Sequence, residues 1–270
     1  MSRARWRKEP TDGRQHEWIG SAEQKMGATD LMGSTFSCKV ILIAGGAGGL
    51  GRAITLLALQ QGARVAVPYR REEEFASLAQ AAGDARDRLA GFRADVTDPT
   101  ATAKLVQDVV ARFGRLDALV NAVGGYAGGL ALWETDAETF NRMIDLNLRS
   151  AYALTHAVAP VLLAQKEGAI VNVSAKAAWD HAAGASAYAA SKAAAIALMD
   201  SLAADLRGTG VRVNSILPSI IDTAANRQAM PNADFAKWPK PEEIARVVLF
   251  LLSDEARVIH GASVPVFGNA

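Results

Sequence analysis

The chain has 270 residues, 50% of them hydrophobic, and a formal net charge of +1. That much apolar material builds one large core, and a single α/β domain reaches this length. Near-neutral charge excludes an electrostatic footprint for nucleic acid, no uninterrupted apolar run has the length of a membrane span, and the lone Cys38 excludes an internal disulfide and suits a reducing, cytoplasmic setting.

Residues 1–36 interleave Arg3, Arg5, Arg7, Lys8 and Glu9 with Trp6 and Trp18 and show no helical or strand period. The segment is expected to be a flexible leader, without the apolar stretch of a signal peptide and too acidic for a transit peptide. Met26 and Met32 are alternative starting points within it. The domain is expected over residues 37–270.

From Lys39 the text turns into VILIA, an apolar run bounded by glycines, as a strand buried on both faces reads. AGGAGGLGRAITLLALQQGARVAV then reads as a glycine-rich turn, an amphipathic helix and a second strand ending near Val67, which together make a βαβ unit. Gly45, Gly49 and Gly51 follow the spacing G-x-x-x-G-x-G. Lacking side chains, they let backbone approach a pyrophosphate at the positive end of the following helix; the alternative is a turn kept bare for packing alone.

The alternation continues with GFRADV as a third strand and a helix opened by Asp98 and Pro99 that runs to Phe113. DALVNAV is the fourth strand, and one long helical stretch covers residues 136–165. AIVNVS, an Ala-rich helix, VRVNSIL, a helix from Pro241 and a short strand over 263–267 complete the chain. Strands alternating regularly with helices predict a Rossmann-type, doubly wound parallel sheet in a single domain, with ligands at the carboxyl ends of the strands.

The Ala-rich helix carries Tyr188 and Lys192, four residues apart and so on one face. A nearby ammonium favours the ionised phenol, which predicts that Lys192 brings Tyr188 down toward neutrality as a proton donor and acceptor. His16, His156, His181 and His260 show no metal-ligand spacing, so no metal is expected. GASAY around Ser186 is not the G-x-S-x-G of a hydrolase elbow.

In these motifs the chain from about Lys39 onward resembles the short-chain dehydrogenase/reductase family. AGGAGGLG, with Gly45, Gly49, Leu50 and Gly51, is similar to its cofactor-binding turn, with Ala44 in place of the usual threonine. Asp95 and Val96 resemble its adenine-contacting pair, and NAVG from Asn121 resembles its NNAG. Asn147, the YAASK run and the PSIIDT segment from Pro218 to Thr223 follow in the family's order, with Ser219 replacing a usual glycine. The resemblance implies a nicotinamide dinucleotide cofactor and a catalytic set of Tyr188, Lys192 and Asn147. Lys192 would bond the nicotinamide ribose, Asn147 would hold a proton-relay water, and Pro218, Thr223 and the backbone at Ile221 would hold the carboxamide. It also implies a homo-oligomer, dimer or tetramer.

Cofactor choice rests on VAVPYRREEE. An acidic residue after the second strand would bond the ribose hydroxyls of NAD, whereas Arg70 and Arg71 suit the 2′-phosphate of NADP. NADP(H) is therefore favoured, and NAD(H) stays open because both arginines have Glu72, Glu73 and Glu74 as alternative partners.

One departure stands out. The family's active-site serine lies thirteen residues before its tyrosine, and that position here is Ala175. Adjacent Ser174 points to the opposite face of a regular strand, so it substitutes only if a bulge rotates it. NAVGGYAGG, SAKAAW and the segment DTAANRQAMPNADFAKW resemble the matching loops of the dihydropteridine reductase members of the family, which also work without the serine. A quinonoid dihydropterin is already electron-poor and has less need of a polarising hydroxyl. The remaining text resembles 3-oxoacyl-[acyl-carrier-protein] and other carbonyl reductases, an alternative in which Ser174 or water replaces the missing donor; a catalytically silent NADP-binding sensor is a third. Tyr126, Trp179, His181 and Trp238, in loops after the fourth to sixth strands, are the candidate substrate-facing residues.

Overall fold

The structure, a computed structural model, describes residues 36–269. It holds one seven-stranded sheet in the order β3-β2-β1-β4-β5-β6-β7, with every pairing parallel. The strands are β1 (Val40–Ala44), β2 (Arg64–Tyr69), β3 (Leu89–Arg93), β4 (Ala118–Asn121), β5 (Gly168–Val173), β6 (Val211–Pro218) and β7 (Ser263–Val266). The helices among the described residues are α1 (Gly49–Gln60), α2 (Glu72–Ala81), α3 (Pro99–Phe113), α4 (Ala137–Ile144), α5 (Ser150–Gln165), α6 (Ala177–Asp180), α7 (Ser186–Asp205), α8 (Ala224–Ala229) and α9 (Pro241–Leu252).

Successive strand residues face opposite ways, so each apolar run feeds two cores. Ile41, Ile43, Val65, Val120, Val171 and Ile216 pack with Ile54 of α1 and Val248 and Leu249 of α9. Val40, Leu42, Leu119, Ile170 and Val213 meet Leu105 of α3, Leu154 and Val158 of α5 and Met199 of α7 on the other face. Each fully buried aliphatic side chain of this kind contributes roughly 1.5–3 kcal/mol of transfer free energy.

The leader, β3 and the long helical stretch differ from their expected bounds. Phe36, assigned to the leader, belongs to the domain: it is buried in the first core, and its N–H donates to the Gln61 carbonyl. The rest of that segment, with Met26 and Met32, lies outside the described residues. β3 starts and stops earlier than expected, because Asp95 Oδ1 accepts from both the N–H and the hydroxyl of Thr97 and turns the chain. The stretch expected as one helix is α4 and α5 joined by a π-helical turn at Asp145–Arg149. α3 starts as its sequence reads, with Asp98 capping the Thr100 N–H and Pro99 in the first turn. No helix among the described residues is long and apolar enough to cross a membrane.

Candidate active site

Strand order reverses between β1 and β4, and a cleft of about 780 Å3 opens at their carboxyl ends. The glycine turn before α1 lines it, with Pro68 to Arg71 after β2, Ala94 to Thr97 after β3, Ala122 to Gly124 after β4, and Leu146. A methyl group on Gly51 would stand 2.0 Å from the Gly45 carbonyl oxygen. One on Gly45, at φ 77°, would stand 2.7 Å from the Ala122 carbonyl oxygen. Both positions therefore require glycine. No side chain caps the N-terminus of α1 and its first turn carries no acidic residue, so its N–H groups remain available to an anion. This donor set fits the pyrophosphate of a dinucleotide.

Leu50 lines the same cleft, as do Asp95 and Val96. Hydrogen bonds from the Thr97 backbone, and then from its hydroxyl, hold the Asp95 carboxyl below the usual carboxylate range, and Arg70 pulls the same way. The two arginines divide. Arg71 pairs with Glu74, while Arg70 forms no ion pair among the described residues. Thr223 caps the Asn226 N–H with its hydroxyl and brings its methyl group over Gly49.

At the cleft's far end the π turn presents Asn147, which is 1% exposed. Its Oδ1 accepts from the Gly125 N–H at 3.0 Å; its Nδ2 donates to the Gly125 carbonyl and to Ser191 Oγ, each at 3.0 Å. Ser191 Oγ in turn donates to the Tyr188 carbonyl at 2.8 Å. The loop after β4, the π turn and α7 are thus tied into one frame around Tyr188. Gly124 sits inside it: a Cβ there would lie 2.8 Å from Asn147 Oδ1 and 2.9 Å from Lys192 Nζ. Lys192, itself buried, donates from Nζ to the Val173 carbonyl at 2.9 Å.

The electrostatics here correct the expectation that Lys192 lowers the Tyr188 pKa. Burial pushes the Tyr188 phenol up to about 12, with Tyr126 adding to the rise, and burial pushes Lys192 down to about 8. Each charged form loses hydration, and no attraction between the two groups figures among the causes of either shift.

Ser174 is committed elsewhere. Its N–H continues the ladder to the Ile216 carbonyl, the Lys176 N–H does the same to Pro218, and its Oγ donates to the Lys192 carbonyl at 3.0 Å. No bulge rotates it. Ala175, buried beside it, brings only a methyl group.

The chain matches the short chain dehydrogenase family over residues 39–234. A 3-oxoacyl-[acyl-carrier-protein] reductase, FabG, from Thermotoga maritima is 34% identical over 239 residues, covering 86% of this chain and 97% of its own. The chain belongs to the short-chain dehydrogenase/reductase family. It is an oxidoreductase. Among solved structures, a short-chain type dehydrogenase/reductase from Mycobacterium ulcerans aligns with a TM-score of 0.82 at 28% identity, over 87% of this chain and 90% of its own. ElxO with NADP bound aligns at 0.81 and 25% identity, over 85% of this chain and 97% of its own.

The other candidates of this short-chain dehydrogenase scatter. Tyr126 meets Tyr188 edge-on at 5.0 Å between ring centroids. Trp179 packs edge-on against Phe267, and His181 is an exposed residue at φ 51° ending α6. Trp238 is 7% exposed and lies tilted against Phe235, because the segment after α8 folds its own rings together. Asn121 does not line the cleft either. Its Nδ2 donates to Asn172 Oδ1 and its Oδ1 accepts from the Val123 N–H, which makes it a brace for the cleft wall at residues 122–124. Pro218 ends β6 between its two neighbouring strands, where its carbonyl accepts from the Lys176 N–H, and the Ile221 carbonyl accepts from Asn226. Ser219, in place of the usual glycine, donates to the Phe267 carbonyl and ties that loop to β7. Gly124 and Ser191 escaped sequence reasoning; the doubled glycine in NAVGG and the serine inside YAASK were the available signals.

Proposed function

We propose that the protein is an NADP(H)-preferring reductase of a small, conjugated, electron-poor acceptor, of which a quinonoid dihydropterin is the leading example. Ala175 carries this reading. With Ser174 Oγ bonded to the Lys192 carbonyl, the strand end offers no hydroxyl to polarise a ketone, and loss of one such donor costs about a hundredfold or more in rate. An acceptor ring that is already electron-poor escapes that penalty.

Gly45, Gly49, Leu50, Gly51, Asp95, Val96 and Thr223 would hold the cofactor, which supplies the hydride when bound. Arg70, uncommitted at the cleft wall, is the group that would meet a 2′-phosphate, and the similarity to ElxO, solved with NADP, supports the same preference. Arg70→Ala should weaken NADPH binding more than NADH binding. Tyr188, held protonated by burial, would deliver the proton to the reduced acceptor. Lys192 and the Asn147 frame would orient it and refill that proton from solvent. The neutral charge and single exposed Cys38 support a small-molecule enzyme of the cytoplasm, and assembly into a dimer or tetramer belongs to the same proposal.

NADPH oxidation with chemically generated quinonoid dihydropterin tests the reading. Turnover above the spontaneous rate that falls at least about a hundredfold in Tyr188→Phe supports it. A second reading, reduction of a 3-oxoacyl thioester, is favoured by the similarity to FabG. Tyr188-dependent turnover of acetoacetyl thioester without turnover of the pterin would establish that one instead, and only tight NADPH binding with no turnover across broad substrate panels would revive the silent sensor.

A further inference from the structure

A second cavity, of about 360 Å3, opens beside Tyr188 and shares no lining residue with the dinucleotide cleft. Tyr126 lines it and also meets the Tyr188 ring edge-on, 5.0 Å between centroids. Thr139 and Arg142 stand three residues apart on one face of α4, and Thr135 comes from the extended segment before that helix. Ser186 and Ala187, the two residues before Tyr188, form the opposite wall.

The polar groups of this cavity are unevenly satisfied. Thr135 donates to the Ala131 carbonyl and Thr139 to Asp136. Arg142 forms no ion pair or side-chain hydrogen bond among the described residues; its electrostatic pull on Asp136 is a minor one. Ser186 Oγ is buried and has no hydrogen-bond partner. An orphaned buried hydroxyl is destabilising unless something bonds it. The first turn of α7, which has no capping side chain at Ala185, adds positive potential to the same wall.

We propose that this cavity is a carboxylate subsite for the substrate. Arg142 receives the carboxylate through its guanidinium fork and Ser186 Oγ donates to it. The acceptor would then be a molecule whose reducible ring sits at Tyr188 and whose acidic arm passes Tyr126. This rests on the reductase reading above and adds the charge of the substrate to it. Tyr126 is the spacer that sets the arm's length, since its ring both lines the cavity and meets the Tyr188 ring.

The test compares a benzoquinone bearing a carboxyethyl arm with its methyl ester. Both are titrated calorimetrically into the NADP+-loaded full chain, where no turnover occurs, and both are then assayed as oxidants of NADPH. The acid should bind roughly tenfold or more tightly than the ester. In Arg142→Gln, with an unchanged melting temperature, the two affinities should come within about twofold, and Ser186→Ala should lose part of the preference. Equal binding of acid and ester, no acid binding, or a preference that survives Arg142→Gln overturns the subsite. Turnover of the ester without preference for the acid keeps the reductase reading and removes the subsite. Arg142-dependent binding of the acid without oxidation of NADPH keeps the subsite and removes the electron-poor acceptor.

Discussion

At the scale of single residues, Lys192 carries the clearest cost. A buried ammonium brought down to about 8 from its ordinary value of 10.5 binds fewer protons in the native state than in the unfolded one. Stability rises with pH wherever the unfolded state binds more protons. The penalty is therefore fully present below pH 8 and disappears as pH climbs toward 10.5, over a window worth about 3 kcal/mol. Lys192→Met removes the titration while leaving the Val173 carbonyl unpaired at every pH. The stability of the natural protein relative to this variant should rise between pH 8 and 10, measured by denaturant unfolding; a flat difference would mean that burial does not hold Lys192 near 8. The YAASK spacing made the Tyr188–Lys192 pair legible, yet not the sign of the Tyr188 shift. Spacing reports proximity, whereas the shift depends on how much water the assembled fold removes from both groups.

At the scale of elements, the π turn at Asp145–Arg149 aims Asn147 away from its own helix and into the loop after β4. Interruptions of this kind recur at functional sites. Helical periodicity over residues 136–165 continues through the turn and hides it, because a π turn needs no glycine or proline to announce it. Gly124 is where loop, π turn and α7 converge. A methyl group there must displace the Asn147 carbonyl oxygen or the Lys192 ammonium. Gly124→Ala should lower kcat at least about tenfold while moving the melting temperature by only a few degrees, since the displaced atoms are the ends of side chains. Unaltered kcat in this variant would contradict the frame described around Tyr188. The trade of Ser174 for Ala175 was readable from the count back to Tyr188, and strand alternation read correctly that Ser174 faces away; its commitment to the Lys192 carbonyl needed the fold.

At the scale of the whole molecule, the two ends of the sheet have different tasks. The carboxyl ends hold the cleft, and the amino ends hold an ion cluster. Asp117, 7% exposed, accepts the Val40 N–H at 2.7 Å and a forked pair from Arg115, with Lys39 bridging to Glu167 nearby. Asp117→Ala should cost about 2 kcal/mol of unfolding free energy, through the orphaned Val40 N–H more than through the half-exposed Arg115, and should leave kcat unchanged. A fall in kcat with stability intact would refute this division. The parallel sheet and a cleft at its carboxyl ends followed from apolar runs alternating with helices. The packing of Trp238 on Phe235 and the inward turn of Asn121 did not, because both depend on which neighbours the folded loops supply.

The account stands most directly on Ala175. Its test is the ratio of kcat/KM for quinonoid dihydropterin to that for acetoacetyl thioester, measured in the natural protein and in Ala175→Ser. The ratio should be large in the natural protein, and the serine should raise thioester reduction about tenfold or more while leaving the pterin rate nearly unchanged. A natural protein that reduces the thioester as well as the pterin, with no gain from the serine, would contradict it.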